Sequence, residues 1–400
     1  MRIIISSSVL TIISLLLIIA CSPIHEALVS PETDVHETRE ALNANYWVYV
    51  GAESEDLIHR IRLGPDGAEV ERTTPVGEIF NKIEGPHGLS ISPDGEYLYM
   101  STGHGFPDGK LWKIRLGEEA DEVIEDPIGL GKFPATVDVT PDGRYAFIVN
   151  FNLHGEMVPS TVSVVDLSEF EEIKQTEVGV MPHGSRISPD GDYHYSGMMM
   201  DDHLIELSTE TFQVNRRFNV AVGEEGPIDK DYYDVHEDHE GMERSAPHMS
   251  HDPSCSPTWA QPSATGEHIY VACNAEGHVL EISFDTWEHT RTFETGQGPY
   301  NIDVSPDNSI LVVTLKQGDG VEFIDRESGE TLARLESSTT VTHGAVVSPD
   351  SRYAFISVEG VGGEPGKVDI YDLESFELID SVETGKQASG IDFWKMEPVN

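Results

Sequence analysis

The sequence predicts an all-β fold, a seven-bladed β-propeller whose ring closes where N-terminal strands join the C-terminal strand in one blade. Three observations predict it. First, a tight turn recurs in "SPDGEYLYMST", "TPDGRYAFIVN", "SPDGDYHYSGM", "SPDNSILVVTL" and "SPDSRYAFISV". Second, the recurrence has a period. The residue seven places before each turn Asp, or its counterpart, is His87, Ala135, His183, Thr258, Tyr300 and His343, and Ser389 continues the series; the spacings are 48, 48, 75, 42, 43 and 46. Third, each unit carries four short apolar runs with Gly, Asp and Pro punctuation, the pattern of one propeller blade.

The elements follow in chain order. Residues 1–20 place Arg2 before a long apolar run, a secretory signal pattern. Residues 21–44 are polar and read as a linker. The propeller is expected over 45–397. Its first strands, in "NYWVYVGAESEDLIHRIRL", have no innermost strand of their own. The last repeat, "GKQASGIDFWKM", has only one strand. Pairing the two ends completes a seventh blade and removes the exposed sheet edges. The single long spacing marks an insertion over 222–256.

Charge limits the partners. Seventy-one Asp and Glu against 25 Lys and Arg give a net charge of −46. Such a surface repels phosphate backbones, so no nucleic-acid partner is expected. Neither a P-loop nor a GxSxG nucleophile elbow is present, and no CxxC motif occurs. Cys255 and Cys273 remain either a disulfide pair or soft metal ligands.

The histidines are unevenly placed. The loop entering an innermost strand and the loop leaving the second strand open on one face of a propeller, opposite the Asp turns. His87, His183 and His343 stand at the first kind of loop, while His104, His154, His203 and His278 follow second strands. The insertion adds His236, His239, His248 and His251 to the same face. Imidazole is a common ligand for copper, zinc and iron, and equivalent positions of several blades converge on the axis without any local motif. His87, His183 and His343 are therefore the expected core of a metal site, with His248, His251, His104 and His203 as further candidates. Copper is the first expectation, because Met198 and Cys273 share the second strands; zinc and a haem d1-like cofactor are the alternatives. Ala135, Thr258, Tyr300 and Ser389 occupy the matching positions elsewhere, so the fold itself does not demand histidine there. The competing reading is a non-catalytic scaffold that binds a protein or envelope polymer through this face, with structural histidines. Arg186 and Asp138 are expected to form an inter-blade ion pair.

The turns and the "V-x-V-x-D" third strands resemble the bacterial YVTN family of seven-bladed propellers. That resemblance implies the fold and leaves the task open. "Ile18-Ile19-Ala20-Cys21" resembles a bacterial lipobox, which implies lipidation at Cys21, a membrane tether and a place in the cell envelope facing the periplasm or the exterior. The "PHG" steps at His87 and His183 and the "THG" step at His343 are similar to the propeller domain of nitrous oxide reductase, where histidines from several blades hold copper over the axis. No paired His-His and no C-terminal cupredoxin domain accompany them here. A monomer with a small-molecule or protein ligand at the channel face is expected.

Overall fold

A computed structural model describes residues 42–79, 81–104, 108–228 and 253–399. Cys21, His236, His239, His248 and His251 lie outside the described residues. The described chain forms seven antiparallel sheets and no helix. The closing blade combines Ala44–Ala52, Leu57–Gly64 and Gly67–Pro75 with Ala388–Pro398 as its innermost strand. Counting that blade as the first, the innermost strands of the other six are Pro86–Ile91, Pro134–Val139, Pro182–Ile187, Pro257–Pro262, Pro299–Val304 and Thr342–Val347. Each innermost strand contacts the next around the ring, and Ala388–Pro398 touches both Pro86–Ile91 and Thr342–Val347. The circle is closed.

The repeated turn has a local chemical cause. Its Ser or Thr donates to the carboxylate of the following Asp and accepts the N–H that restarts the chain, as at Ser92, Thr140, Ser188, Ser305 and Ser348. Apolar clusters fill the gaps between neighbouring sheets; Phe147, Val162 and Val164 of one blade meet Met198, Ile205 and Leu207 of the next. Blade 2 departs from the pattern. Its outer strand is split into Glu122–Val123 and Ile128–Gly129, both on Lys110–Arg115, where the acidic run before Pro127 interrupts pairing. Blade 4 gains a fifth strand, Gly226–Ile228, at the start of the insertion.

Two backbone devices aim side chains at the axis. The residue before every innermost strand has a left-handed φ: Gly85, Phe133, Met181, Ser256, Gly298, Val341 and Gln387. Five of the seven are not glycine, and each such residue costs about 1 kcal/mol or more of backbone strain. A register shift then follows within the first residues of all seven innermost strands, as between Pro86 and Leu89 or Thr342 and Ala345. The second residue is thereby turned out of the ladder toward the channel. The glycine after it has a different reason. A Cβ at Gly88 would lie 2.4 Å from Ala135 O, and one at Gly390 would lie 2.0 Å from His87 O. The His-Gly step is thus half channel lining and half close approach between blades.

Candidate functional site

The second residues of the seven innermost strands are His87, Ala135, His183, Thr258, Tyr300, His343 and Ser389. The structure brings the three histidines together as expected. The His87 ring centroid lies 6.2 Å from that of His183 and 5.3 Å from that of His343. Their roles differ.

His183 is fully committed. Its Nδ1–H donates to Thr258 O at 2.9 Å, which leaves Nε2 as an acceptor for the Tyr300 hydroxyl at 2.9 Å. Burial pushes its pKa down to about 3, helped by the charge of His87. A neutral, doubly bonded imidazole has no lone pair left for a metal.

His87 and His343 instead face a carboxylate. Glu53, Nδ1 or Nε2 of His87 and of His343 supply three donor atoms within 4.8 Å of one another, all from buried residues. Glu53 Oε1 contacts His87 Nδ1, and Glu53 Oε2 lies 2.9 Å from His104 Nδ1 and accepts from Gln387 Nε2 at 2.6 Å. Burial works to raise the Glu53 pKa, but the charge of His87 and the hydrogen bonds of His104 and His87 outweigh it and hold it below the carboxylate range. The bond to Glu53 in turn raises His104. His343 Nδ1 has no hydrogen-bond partner among the described residues, and Nε2 lies 3.9 Å from Glu359 Oε1. Burial and the Lys316 charge hold His343 well below its ordinary pKa, so it is the neutral imidazole, with one nitrogen bearing a proton and the other a free lone pair.

Glu53 was not singled out by histidine placement, yet its position carries a signal. Glu53, Gly103, Phe151, Met199, Asn274, Lys316 and Glu359 each follow the second strand of a blade. The charged members of this outer ring flank the histidines. Lys316 donates to Glu359 Oε1 at 2.8 Å and sits 4.1 Å from the Tyr300 ring centroid. Phe133 packs against His87 and His104, and Phe151 against His183. An axial cavity lies beneath, between the histidines and Arg186.

Other expectations are corrected. His203 is buried at the start of the third strand of blade 4 and is not part of the donor group. His104 joins it only through Glu53. Cys273 is not a free thiolate, because it forms a disulfide with Cys255. Met198 packs in an apolar cluster with Phe147 and Val149. The soft donors that favoured copper are therefore engaged elsewhere. Asp138 accepts from Ile187 N at 2.6 Å rather than pairing with Arg186, whose guanidinium lies 4.6 Å over the Trp259 ring.

Comparisons with known proteins agree with the fold. Residues 304–395 match the Cytochrome D1 heme domain family, a propeller family. No curated protein sequence matches the chain. Among solved structures, the periplasmic gluconolactonase of Pseudomonas aeruginosa is similar at TM-score 0.65 and 18% identity, over 88% of this chain and 99% of that one. A putative 6-phosphogluconolactonase of Bacteroides uniformis reaches TM-score 0.60 at 15% identity, over 88% and 100%. Hydrazine synthase of Kuenenia stuttgartiensis reaches 0.57 at 19% identity, over 78% and 91%. The chain is a seven-bladed β-propeller, as the turns that resemble the YVTN propellers implied, and it carries a buried His/Glu donor group at its channel mouth.

Proposed function

We propose that the channel mouth holds one divalent transition-metal ion through Glu53, His87 and His343, on an exported propeller tethered by lipid at Cys21. The carrying observation is the convergence of one carboxylate and two imidazole donors within 4.8 Å at buried positions. A buried carboxylate facing two imidazole donors is a setting that a shared cation stabilises. Three protein donors also leave coordination positions open for a small substrate. Nitrogen and oxygen donors bind copper(II) most tightly of the divalent first-row series, with zinc the nearest competitor. Copper remains the first expectation on that ground, no longer on Met and Cys ligation. Such an ion would supply Lewis acidity or electron transfer. The protein's own part is to keep His343 neutral, hold Glu53 ionised and wall the mouth with Phe133, Phe151 and Tyr300.

A haem d1-like cofactor is the second reading, favoured by the match at 304–395. Of the candidate histidines, only His343 falls inside that segment. A donor spacing that closes on one point suits a single ion better than a macrocycle.

Elemental analysis of tag-free protein tests the proposal. Near-stoichiometric copper or zinc is expected in the parent, and little in Glu53→Gln, His87→Ala or His343→Ala. No uptake by a folded parent after reconstitution would return the histidines to a structural role and favour the scaffold reading.

A further inference from the structure

The outer ring at the mouth has an uneven charge. Its seven positions carry two carboxylates, Glu53 and Glu359, and one ammonium, Lys316; the other four are uncharged. Lys316 and Glu359 neutralise each other through their 2.8 Å bond. Of the three donors only Glu53 brings a negative charge to a divalent ion, because imidazole ligates through a lone pair and adds none, and His104 meets the other oxygen of Glu53. The loaded mouth then has a surplus of one positive charge in a buried setting. An uncompensated buried charge is expensive, and a monoanion removes it where a neutral molecule or a dianion does not.

The structure also shows where such an anion would be held. Lys316 has three N–H donors, of which one goes to Glu359. Its ammonium is fixed over the face of Tyr300 rather than free in solvent. Glu359 Oε1 stands between that ammonium and His343 Nε2, at 2.8 and 3.9 Å. An anion on the open side of the ion therefore has a second cation within one side-chain layer. Phe133, Phe151 and Tyr300 shield that space from water, which strengthens charge pairing.

We propose that the metal-loaded mouth binds a small monoanion, of the size of a carboxylate headgroup, and that Lys316 is the residue that selects it. This rests on the metal-site reading. Lys316 and Glu359 act in opposite directions: the first attracts the anion and the second competes with it.

Copper(II)-loaded protein titrated with azide tests this, read by the azide-to-copper charge-transfer band. Saturable binding is expected in the parent. Lys316→Met should weaken it about tenfold or more, Lys316→Arg should largely retain it, and Glu359→Gln should tighten it. All four proteins should take up the same copper. Thermal melts confirm that each is folded, and Glu359→Gln keeps a gain as the expected sign should Lys316→Met unfold. Copper uptake without azide binding, or equal azide binding in Lys316→Met, would overturn the anion proposal and leave the metal site standing. Failure of the parent to take up copper would overturn both.

Discussion

The Tyr300 hydroxyl donates to Nε2 of His183 at 2.9 Å, across 117 residues of sequence. That bond separates two kinds of axial histidine. His183 is locked between Tyr300 and Thr258 O, whereas His87 and His343 turn toward Glu53. His183→Ala should therefore keep its metal while His87→Ala loses it. Tyr300→Phe strands a buried acceptor and should lower stability by about 1–3 kcal/mol in urea titration, with metal uptake unchanged.

His194 gives a pH prediction with a definite sign. It is buried, stacks on Phe147 at 5.3 Å between centroids, and neither ring nitrogen has a partner among the described residues. Burial holds its pKa at about 3, against an ordinary 6.5. Between those values the unfolded chain binds the extra proton, so the His194 contribution is fully present above pH 6.5 and is lost as pH falls toward 3. His194→Leu removes this penalty. Its stability advantage over the parent should grow by about 1.4 kcal/mol per pH unit below 6.5, measured by urea unfolding between pH 7 and 5.

The Cys255–Cys273 bridge ties the end of the insertion to the second strand of blade 5, with a sequence separation of 18. Asp202 reinforces the same junction by accepting from the N–H groups of Ser254, Cys255 and Ser256. Replacing both cysteines by serine should cost about 3 kcal/mol on the loop-entropy scale, measured against the oxidised parent.

Gly88 is required by space rather than by φ. Its added Cβ would meet Ala135 O at 2.4 Å, and its N–H is held by Ser101 Oγ at 2.9 Å. Gly88→Ala should cost about 2 kcal/mol or more, because only backbone can yield. Gly223→Ala, in open space but at φ +79°, separates the two causes, since strain alone should cost about 1 kcal/mol there.

The fold was legible because each turn carries its own chemistry. The Ser/Thr–Asp hydrogen bonds shape the turn after the innermost strand in five of the seven blades and favour a recurring Ser/Thr-Pro-Asp spelling, so the period could be counted. The channel histidines were legible for the same reason, being fixed at one distance from that turn. Glu53 was harder to see. It lies in the closing blade, whose turn is absent and whose innermost strand comes from the other end of the chain. His343, Glu53 and His87 belong to blades 7, 1 and 2, which are consecutive only because the ring closes. His183 is two blades further round, with the Ala135 blade between, and a spacing pattern cannot show which neighbour claims its nitrogens. The Met and Cys argument for copper failed on partners of the same kind: Cys273 found Cys255, and Met198 found an apolar cluster.

Anomalous diffraction from crystals of the copper-loaded protein, collected on both sides of the copper absorption edge, tests the central claim most directly. One strong peak is expected at bonding distance from Glu53, His87 and His343, with His183 still hydrogen-bonded to Tyr300 and Thr258. A peak on His183, or copper only on surface carboxylates with the Glu53–His87 contact intact, would contradict it.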